Sequence, residues 1–176
     1  MTVAAFVLGV LGFAVAMASL TWQVYTFLMQ GARPTLTPVV GLLTAGGGLV
    51  TNDATRDVRA SLMSAAAQLP PGQLIVGVKV VNAGRAPFHV AQWALRADPS
   101  GAAFQVIGEQ IGSPPVPCDI PPGAEQIFFM YLAGAVNLRR SLESVEGDPQ
   151  RIVATVSSGG RTYVSKPIAT EVLSIV

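Results

Sequence analysis

The sequence predicts a mainly β protein in which an N-terminal transmembrane α-helix precedes a β-sandwich with one or two short helices. Three observations support this prediction: an apolar N-terminal segment long enough to cross a membrane, short segments of alternating hydrophobicity behind it, and turn residues that separate those segments. We expect an anchor at residues 1–32 and a juxtamembrane strand, glycine-rich loop and short helix at residues 33–72. The core of the sandwich is expected at residues 73–176, joined by the strand at residues 34–44.

The overall composition limits the classes of function that fit this chain. It has 176 residues, of which 51% are hydrophobic and 12% are charged, and its formal net charge at pH 7 is +1. A nucleic-acid partner is not expected, because the chain has no basic patch to contact phosphates. Cys118 is the only cysteine, so no internal disulfide forms, and the chain fits a reducing compartment.

The anchor prediction rests on residues 1–32, which contain no Asp, Glu, Lys or Arg. An α-helix of about 20 apolar residues crosses the bilayer core and satisfies its own backbone hydrogen bonds there. The apolar run extends from Val3 to about Met29, and Trp22 and Tyr25 near its end are of the types that favour the headgroup level. Together with Arg33, they are the predicted membrane-interface residues of a single-pass protein in the lipid bilayer.

A cleaved signal peptide is the alternative interpretation of this segment. Ala14, Ala16 and Ala18 have the spacing of a cleavage site, but the basic residues that begin a signal peptide are missing. A retained anchor is therefore expected. Arg33 is the only charged residue near either end of the helix, so the positive-inside rule predicts a cytoplasmic domain and an external N-terminus. An extracytoplasmic domain is the alternative topology.

One face of the predicted helix combines small and polar residues. They recur every three or four residues, which keeps them on a single stripe, and small residues let two helix backbones approach closely in lipid. The stripe consists of Ala5, Gly9, Gly12, Ala16, Ser19, Gln23 and Thr26. It predicts a contact with another transmembrane helix, from a second copy of the chain or from another membrane protein. Glycine and alanine are also common in membrane helices, so a chance stripe is the alternative.

Between the anchor and residue 72, the pattern predicts a strand, a break and a helix. Thr35–Thr44 is the predicted strand, and Gly46–Gly48 interrupts it. Asn52 and Asp53 are predicted to cap a helix that ends at Pro70. The predicted apolar face of this helix consists of Val58, Leu62, Ala66 and Leu69.

Strand signals dominate from Gln73 onward. The predicted strands are residues 73–81, 88–96, 103–108, 126–132, 151–157 and 161–166, and residues 135–145 are predicted to be helical. Asn82–Pro87 is predicted to be a tight turn in which Asn and Gly provide positive φ. The Pro-rich residues 113–123 are predicted to be an extended loop, with a polyproline ligand for a partner as the alternative. Ile127–Leu132 is apolar on both faces, which favours a central strand over an edge strand that meets another protein.

A resemblance adds to this fold prediction. Val78–Pro87, with the sequence VKVVNAGRAP, looks like the strand-turn segment of bacterial immunoglobulin-like domains. Combined with Trp22–Val24 and Gly31–Arg33, this segment resembles a group of uncharacterised single-pass bacterial membrane proteins. The resemblance implies an immunoglobulin-like β-sandwich behind the anchor. It implies no activity and no functional residues, because none is assigned to that group.

Catalytic, metal-binding and cofactor-binding residues are not expected in this chain. His89 is the only histidine, and with Cys118 it forms at most a nucleophile pair or half of a metal site, which needs three or four ligands. No phosphate-binding loop or hydrolase motif occurs. The chain is therefore predicted not to be an enzyme.

These observations predict a membrane-anchored interaction or accessory module that binds through the helix stripe and through the sandwich. An extracytoplasmic module that binds a ligand or an envelope component is the alternative. A hydrolase with an unrecognised site is the third hypothesis.

Overall fold

The structure, a computed structural model, describes residues 2–105 and 112–174. Three α-helices lie at Thr2–Met29 (α1), Arg59–Gln68 (α2) and Leu132–Glu146 (α3), and a 3₁₀-helix lies at Val172–Ser174. The strands of the described residues are Pro34–Thr44 (β1), Leu49–Asp53 (β2), Gly72–Asn82 (β3), Phe88–Val90 (β4), Gln92–Asp98 (β5), Ala103–Phe104 (β6), Cys118–Ile120 (β7), Glu125–Tyr131 (β8), Arg151–Ser158 (β9) and Arg161–Pro167 (β10).

The helix α1 is exposed along its apolar length. Val3–Phe27 comprises 25 residues, and none of its most apolar part is buried. Phe6 and Phe13, for example, are 73% and 68% exposed. A helix that is apolar all round has no polar face to turn toward water. By length and composition α1 is able to cross a membrane, in agreement with the predicted helix.

Two four-stranded antiparallel sheets form the body of the domain. The strand order is β2-β1-β3-β8 in the first sheet and β10-β9-β5-β6 in the second, and β4 pairs with β7 in a separate two-stranded sheet. β1 pairs with β3 over its whole length, from Pro34 opposite Asn82 to Thr44 opposite Gly72. The strand that follows α1 therefore belongs to the same sheet as β3.

A single buried cluster takes side chains from both sheets. Val78 of β3 and Phe128 of β8 are fully buried, and so is Ala154 of β9. The Trp93 and Phe128 ring centroids lie 6.3 Å apart, which joins the two sheets across the core. No described residue of α1 belongs to this cluster. Because each fully buried aliphatic side chain contributes about 1.5–3 kcal/mol, the core stabilises the domain without the helix.

The position of strand β8 within its sheet differs from the prediction. A central strand was predicted, but among the described strands β8 pairs only with β3, at the edge of the sheet. A loop of the chain lies against this edge at Phe129, whose N–H donates a hydrogen bond to the Ser113 hydroxyl oxygen at 3.3 Å. Phe129 is only 5% exposed. A covered edge has fewer free backbone groups for pairing with another chain.

The predicted helix cap at Asn52 and Asp53 is wrong. Both residues lie in β2, which returns along β1 after the turn at Gly46–Gly48. The helix α2 begins later, where the Asp57 carboxylate accepts a hydrogen bond from the Arg59 N–H at 3.1 Å. Of the predicted apolar face, Leu62 is buried but Ala66 is exposed. Pairing with β1 therefore outweighed the local capping signal.

Three further predictions need correction in whole or in part. The predicted strand at residues 88–96 is two strands, because Ala91 separates β4 from β5 and the two strands belong to different sheets. The predicted loop at residues 113–123 contains a strand, β7, which pairs with β4. Of the predicted strand at residues 103–108, only Ala103–Phe104 is a strand in the described part, and residues 106–108 lie outside the described residues. The predicted strands at β3, β8 and the final β9–β10 hairpin are confirmed, as is α3.

Candidate functional site

The end of the domain next to α1 is organised by the buried side chain of Asn82, which is 0% exposed. Its Oδ1 accepts hydrogen bonds from the backbone N–H groups of Arg33 at 3.2 Å and Gly84 at 3.0 Å. Its Nδ2 donates to the carbonyl oxygens of Ala86 at 2.8 Å and Ile120 at 3.0 Å. The amide thereby has a partner for each donor and two for its acceptor oxygen. It ties the segment leaving α1 to the β3–β4 turn and to β7.

Gly84 lets the β3–β4 turn lie directly against the segment that leaves α1. A Cβ atom at position 84 would lie 2.4 Å from the Gly31 carbonyl oxygen and 2.5 Å from the Arg33 nitrogen. Two backbone hydrogen bonds hold this contact, from Ala83 N–H to the Arg33 carbonyl at 3.0 Å and from Arg85 N–H to the Gly31 carbonyl at 3.3 Å. The predicted positive φ is not found at Gly84 or at any described non-glycine residue. Close approach of two backbones, and not a left-handed conformation, therefore requires glycine here.

This packing leaves a cleft between the end of α1 and the β3–β4 turn, which we call the juxtahelical cleft. Its volume is about 340 Å³, and its lining consists of Trp22, Tyr25, Thr26, Arg33, Ala83 and Arg85. The Trp22 and Tyr25 ring centroids lie 6.1 Å apart. Among the described lining residues there are two arginines and no carboxylate. All three predicted membrane-interface residues thus line one cleft, joined by Arg85, which no sequence pattern had singled out.

The predicted helix-packing stripe lies on α1, away from the domain core. Apart from the helix's own backbone, no heavy atom lies within 4 Å of an ideal Cβ position at Gly9 or Gly12. The Thr26 hydroxyl already donates within the helix, to the Trp22 and Gln23 carbonyl oxygens at 2.9 Å each. The stripe is therefore open to a second helix at its glycines, and its role in packing stays a prediction.

His89 and Cys118 do not form a pair. In the β4–β7 register, His89 lies opposite Asp119 and Val90 lies opposite Cys118. Because successive side chains of a strand point to opposite faces, Cys118 lies on the other face from Asp119. Cys118 packs against the core cluster, whereas the His89 Nδ1 lies 2.7 Å from the Asp119 Oδ1 at the surface. The sequence did not predict the contact between His89 and Asp119, because residues 113–123 were predicted to be a loop. Only a paired strand has a register from which opposite residues can be inferred.

The surroundings of Cys118 do not activate its thiol. Burial raises the pKa of the Cys118 thiol, and the negative charge of Asp119 raises it further. Reactive cysteines have lowered pKa values, because the thiolate is the nucleophile and the metal ligand. Within the described residues, no group of three or more His, Cys, Asp or Glu side chains is arranged to hold a metal ion.

A second cleft, of about 690 Å³, lies at the far end of the first sheet. The described residues that line it come mainly from the β1–β2 turn, the start of β3 and the end of β8, and include Leu43, Leu49, Phe129 and Tyr131. It offers apolar space, and Tyr131 is the one titratable side chain among its described lining residues. Nothing in it points to a particular ligand.

No protein-family model, curated protein or solved structure matches the chain.

Proposed function

We propose that this protein is a single-pass membrane protein whose β domain is an immunoglobulin-like sandwich and acts by binding rather than by catalysis. The observation that carries this proposal is the exposure of α1 beside a domain core that contains none of the described side chains of this helix. An apolar helix of 25 residues is long enough to span a bilayer and would be costly to leave in water.

The strand order supports the immunoglobulin-like fold. In such sandwiches, strands A, B and E are neighbours in one sheet and strands G, F and C in the other. Here β1, β3 and β8 are neighbours in the first sheet, and β10, β9 and β5 in the second. Trp93 on β5 is 2% exposed, in the place of the buried tryptophan on strand C. β2, β6, the β4–β7 pair and α3 are additions to that pattern.

The separation of His89 from Cys118 supports a binding role over a catalytic one. A hydrolase that used Cys118 as its nucleophile would need a base beside the thiol. The thiol of Cys118 is partly buried with a raised pKa, and the one histidine contacts an exposed carboxylate. We therefore propose a non-enzymatic interaction or accessory module, with the helix stripe as one binding surface and the domain as the other.

A test of membrane anchoring compares the full chain with a chain that starts at Arg33. We expect the full chain to remain with membranes in alkaline carbonate and the shortened chain to be released. Mass spectrometry of the membrane-bound protein provides the control, since cleavage near Ala18 would show that the segment is a signal peptide.

A test of the helix stripe uses single cysteines in a Cys118→Ser background. Ala16→Cys lies on the stripe, and Ala14→Cys is a matched control on the opposite face of α1. If two copies pack through the stripe, disulfide crosslinking in membranes will be strong at position 16 and weak at position 14. Equal crosslinking at both positions would contradict the stripe as the contact between copies.

If a different membrane protein is the partner, it will copurify from gently solubilised membranes with the full chain. Ala16→Leu, which adds bulk to the stripe, will lose that partner, and Ala14→Leu will keep it. Retention of the partner by both variants would place the contact elsewhere.

We propose the cytoplasm as the location of the domain, supported by Arg33 at the C-terminal end of α1. Arg85 lies beside it in the folded protein but does not count in this rule, because it is distant in sequence and reaches the cleft only after folding. A green fluorescent protein fused after Val176 is expected to be fluorescent, and an alkaline phosphatase fused there inactive. The opposite result would favour the extracytoplasmic, ligand-binding alternative.

A further inference from the structure

The juxtahelical cleft has two features that together point to a ligand at the membrane surface. The first is its height along α1. The 25 residues of Val3–Phe27 span about 37 Å, at a rise of 1.5 Å per residue. Because the hydrocarbon core of a bilayer is about 30 Å thick, a centred α1 places Tyr25 about 15 Å from the midplane, at the edge of that core, with Trp22 about one turn inside it. The residues that follow Tyr25 then reach the headgroup region. If α1 is the anchor proposed above, the cleft opens at the level of lipid phosphates.

The second feature is the charge of the cleft. Arg33 and Arg85 both line it and are exposed, and none of its described lining residues carries a carboxylate. Within the described part of the chain, the Arg85 guanidinium makes no ion pair with a carboxylate. The backbone hydrogen bond from Arg85 to Gly31 and the Asn82 hydrogen bond to Arg33 hold the two arginine backbones in place. Two cationic residues thus line one concavity, with their backbones held in place.

The chemistry of these side chains fits a phosphate group. A guanidinium presents several N–H donors in a planar fork that matches phosphate oxygens, and it binds them more specifically than an ammonium does. Tryptophan and tyrosine rings sit at the boundary between headgroups and acyl chains, where their apolar faces contact the lipid. The cleft therefore has a polar side for a phosphate and an aromatic side for the adjoining glycerol and acyl chains.

We infer that the juxtahelical cleft binds the headgroup of an anionic phospholipid, with Arg33 and Arg85 on its phosphate and Trp22 and Tyr25 along its acyl chains. This inference rests on the proposed anchoring of α1. A net negative lipid is preferred over a zwitterionic one, because the choline ammonium would place a third positive charge beside the two arginines. A soluble phosphate compound offers the same oxygens but leaves the aromatic side of the cleft without a partner.

The test uses the full chain reconstituted in vesicles of phosphatidylcholine with a minor share of phosphatidylglycerol. One of the two lipids carries brominated acyl chains, which quench the fluorescence of nearby tryptophan. Trp22 reports on the cleft, and Trp93, buried in the domain core, gives a constant background. Quenching by brominated phosphatidylglycerol beyond its share of the lipid measures its preference for the cleft.

We expect the wild-type chain to show this preference and Arg85→Gln to lower it about fivefold, the effect of one arginine near an anionic surface. Arg33→Gln should lower it similarly. Arg85→Lys should retain part of it, and Arg140→Gln on α3, outside the cleft, should leave it unchanged. Equal preference in wild type and Arg85→Gln would overturn the inference.

Two further arms separate the sources of failure. Inorganic phosphate added to vesicles of phosphatidylcholine alone should leave Trp22 fluorescence unchanged. A saturable change in this fluorescence would overturn the lipid site and indicate that the cleft binds a soluble phosphate compound. Brominated phosphatidylcholine as the sole lipid should quench Trp22 in every variant. Absence of that quenching would mean that α1 is not inserted, which would overturn the anchoring proposal and with it the lipid site.

Discussion

The helix α1 and the strand β3 are both built mainly from apolar residues, but different surroundings cover them. In β3, Val76, Val78 and Val80 are all 0% exposed, because they lie in the buried cluster shared with the second sheet. In α1, side chains of the same type are open, and Val15 is 65% exposed. The apolar area of β3 is removed from water by the protein itself. The apolar area of α1 can be removed from water only by another apolar phase. This difference divides the molecule into two parts with separate sources of stability.

The segment around Asn82 is where these two parts meet. The amide of Asn82 holds Arg33 at the start of the domain, and Gly84 allows the turn to contact Gly31. Two independently stabilised parts thus share one short, hydrogen-bonded junction. The comparison predicts that substitutions in α1 will affect membrane association alone, those in β3 the domain alone, and those at the junction the stability of the domain end next to the helix.

The largest expected effect is that of Val78→Asp in β3. A carboxylate at a fully buried position has no compensating charge, so we expect the free energy of unfolding to fall by more than about 4 kcal/mol. Limited proteolysis and thermal unfolding of the detergent-solubilised chain measure the loss. Val145→Asp is the control, because Val145 is 82% exposed and a change there should stay within about 0.5 kcal/mol. Membrane association of Val78→Asp should persist.

The reciprocal substitution is Val15→Asp near the middle of α1. An aspartate at the centre of a transmembrane helix costs about 3 kcal/mol of insertion free energy. We expect a smaller membrane-inserted fraction in a carbonate-extraction assay, with the melting temperature of the domain unchanged. A lowered melting temperature would contradict the separation of α1 from the domain core.

At the junction, we expect Asn82→Ala to lower the free energy of unfolding by about 2–3 kcal/mol, since it leaves buried backbone donors and acceptors without partners. Asn52→Ala is the matched control, because the Asn52 amide makes only a 3.4 Å hydrogen bond to the Ser61 hydroxyl at the surface. Chemical denaturation measures both. In Asn82→Ala, the backbone amides of Arg33 and Gly84 should lose their protection from hydrogen exchange. Retained protection at these two amides would contradict the role of Asn82 at the junction.

A smaller effect is expected for Gly84→Ala. The added methyl group must displace the Gly31–Arg33 backbone, and such overpacking costs about 1–3 kcal/mol. Gly46→Ala is the control, since no atom lies within 4 Å of its Cβ position. The measurement is the melting temperature of each variant. Equal melting temperatures would show that the β3–β4 turn is not in close contact with the segment that leaves α1.

The smallest expected effect concerns Cys118. Because its pKa is raised in the folded state, its contribution to stability is fully present below the ordinary thiol pKa of about 9 and is lost as pH rises through the higher folded value. Alkylation by iodoacetamide should therefore stay slow at neutral pH. Asp119→Asn should shift the onset of alkylation to lower pH by removing the second cause of the raised pKa. Rapid alkylation of the native chain at neutral pH would contradict the burial of this thiol.

Local patterns were sufficient for the elements whose surroundings are uniform. α1 and β3 follow from apolar runs, and the β9–β10 hairpin follows from two short strands around Gly159–Gly160. The cap predicted at Asn52 and Asp53 failed because those residue types also end strands, and the choice between the two depended on pairing with β1. The edge position of β8 could not be predicted, because an apolar strand covered by a loop and a central strand have the same composition.

The predicted membrane-interface residues show the same division. Trp22, Tyr25 and Arg33 were predicted from their position after an apolar run, since that signal is local. Arg85 was missed because it joins them only through the pairing of β3 with β1 and the contact of Gly84 with Gly31. Asn82 was interpreted as a turn residue, and its role in joining three segments has no sequence signal.

By itself, the sequence determined the apolar helix and the β-rich domain behind it, because hydrophobic length and periodicity are properties of consecutive residues. The tertiary structure decided which strands are neighbours, which edge is covered, where Cys118 points and which arginine lies beside Arg33. Those features depend on contacts between residues far apart in the chain, and burial and hydrogen bonding select among pairings that the local sequence leaves equivalent.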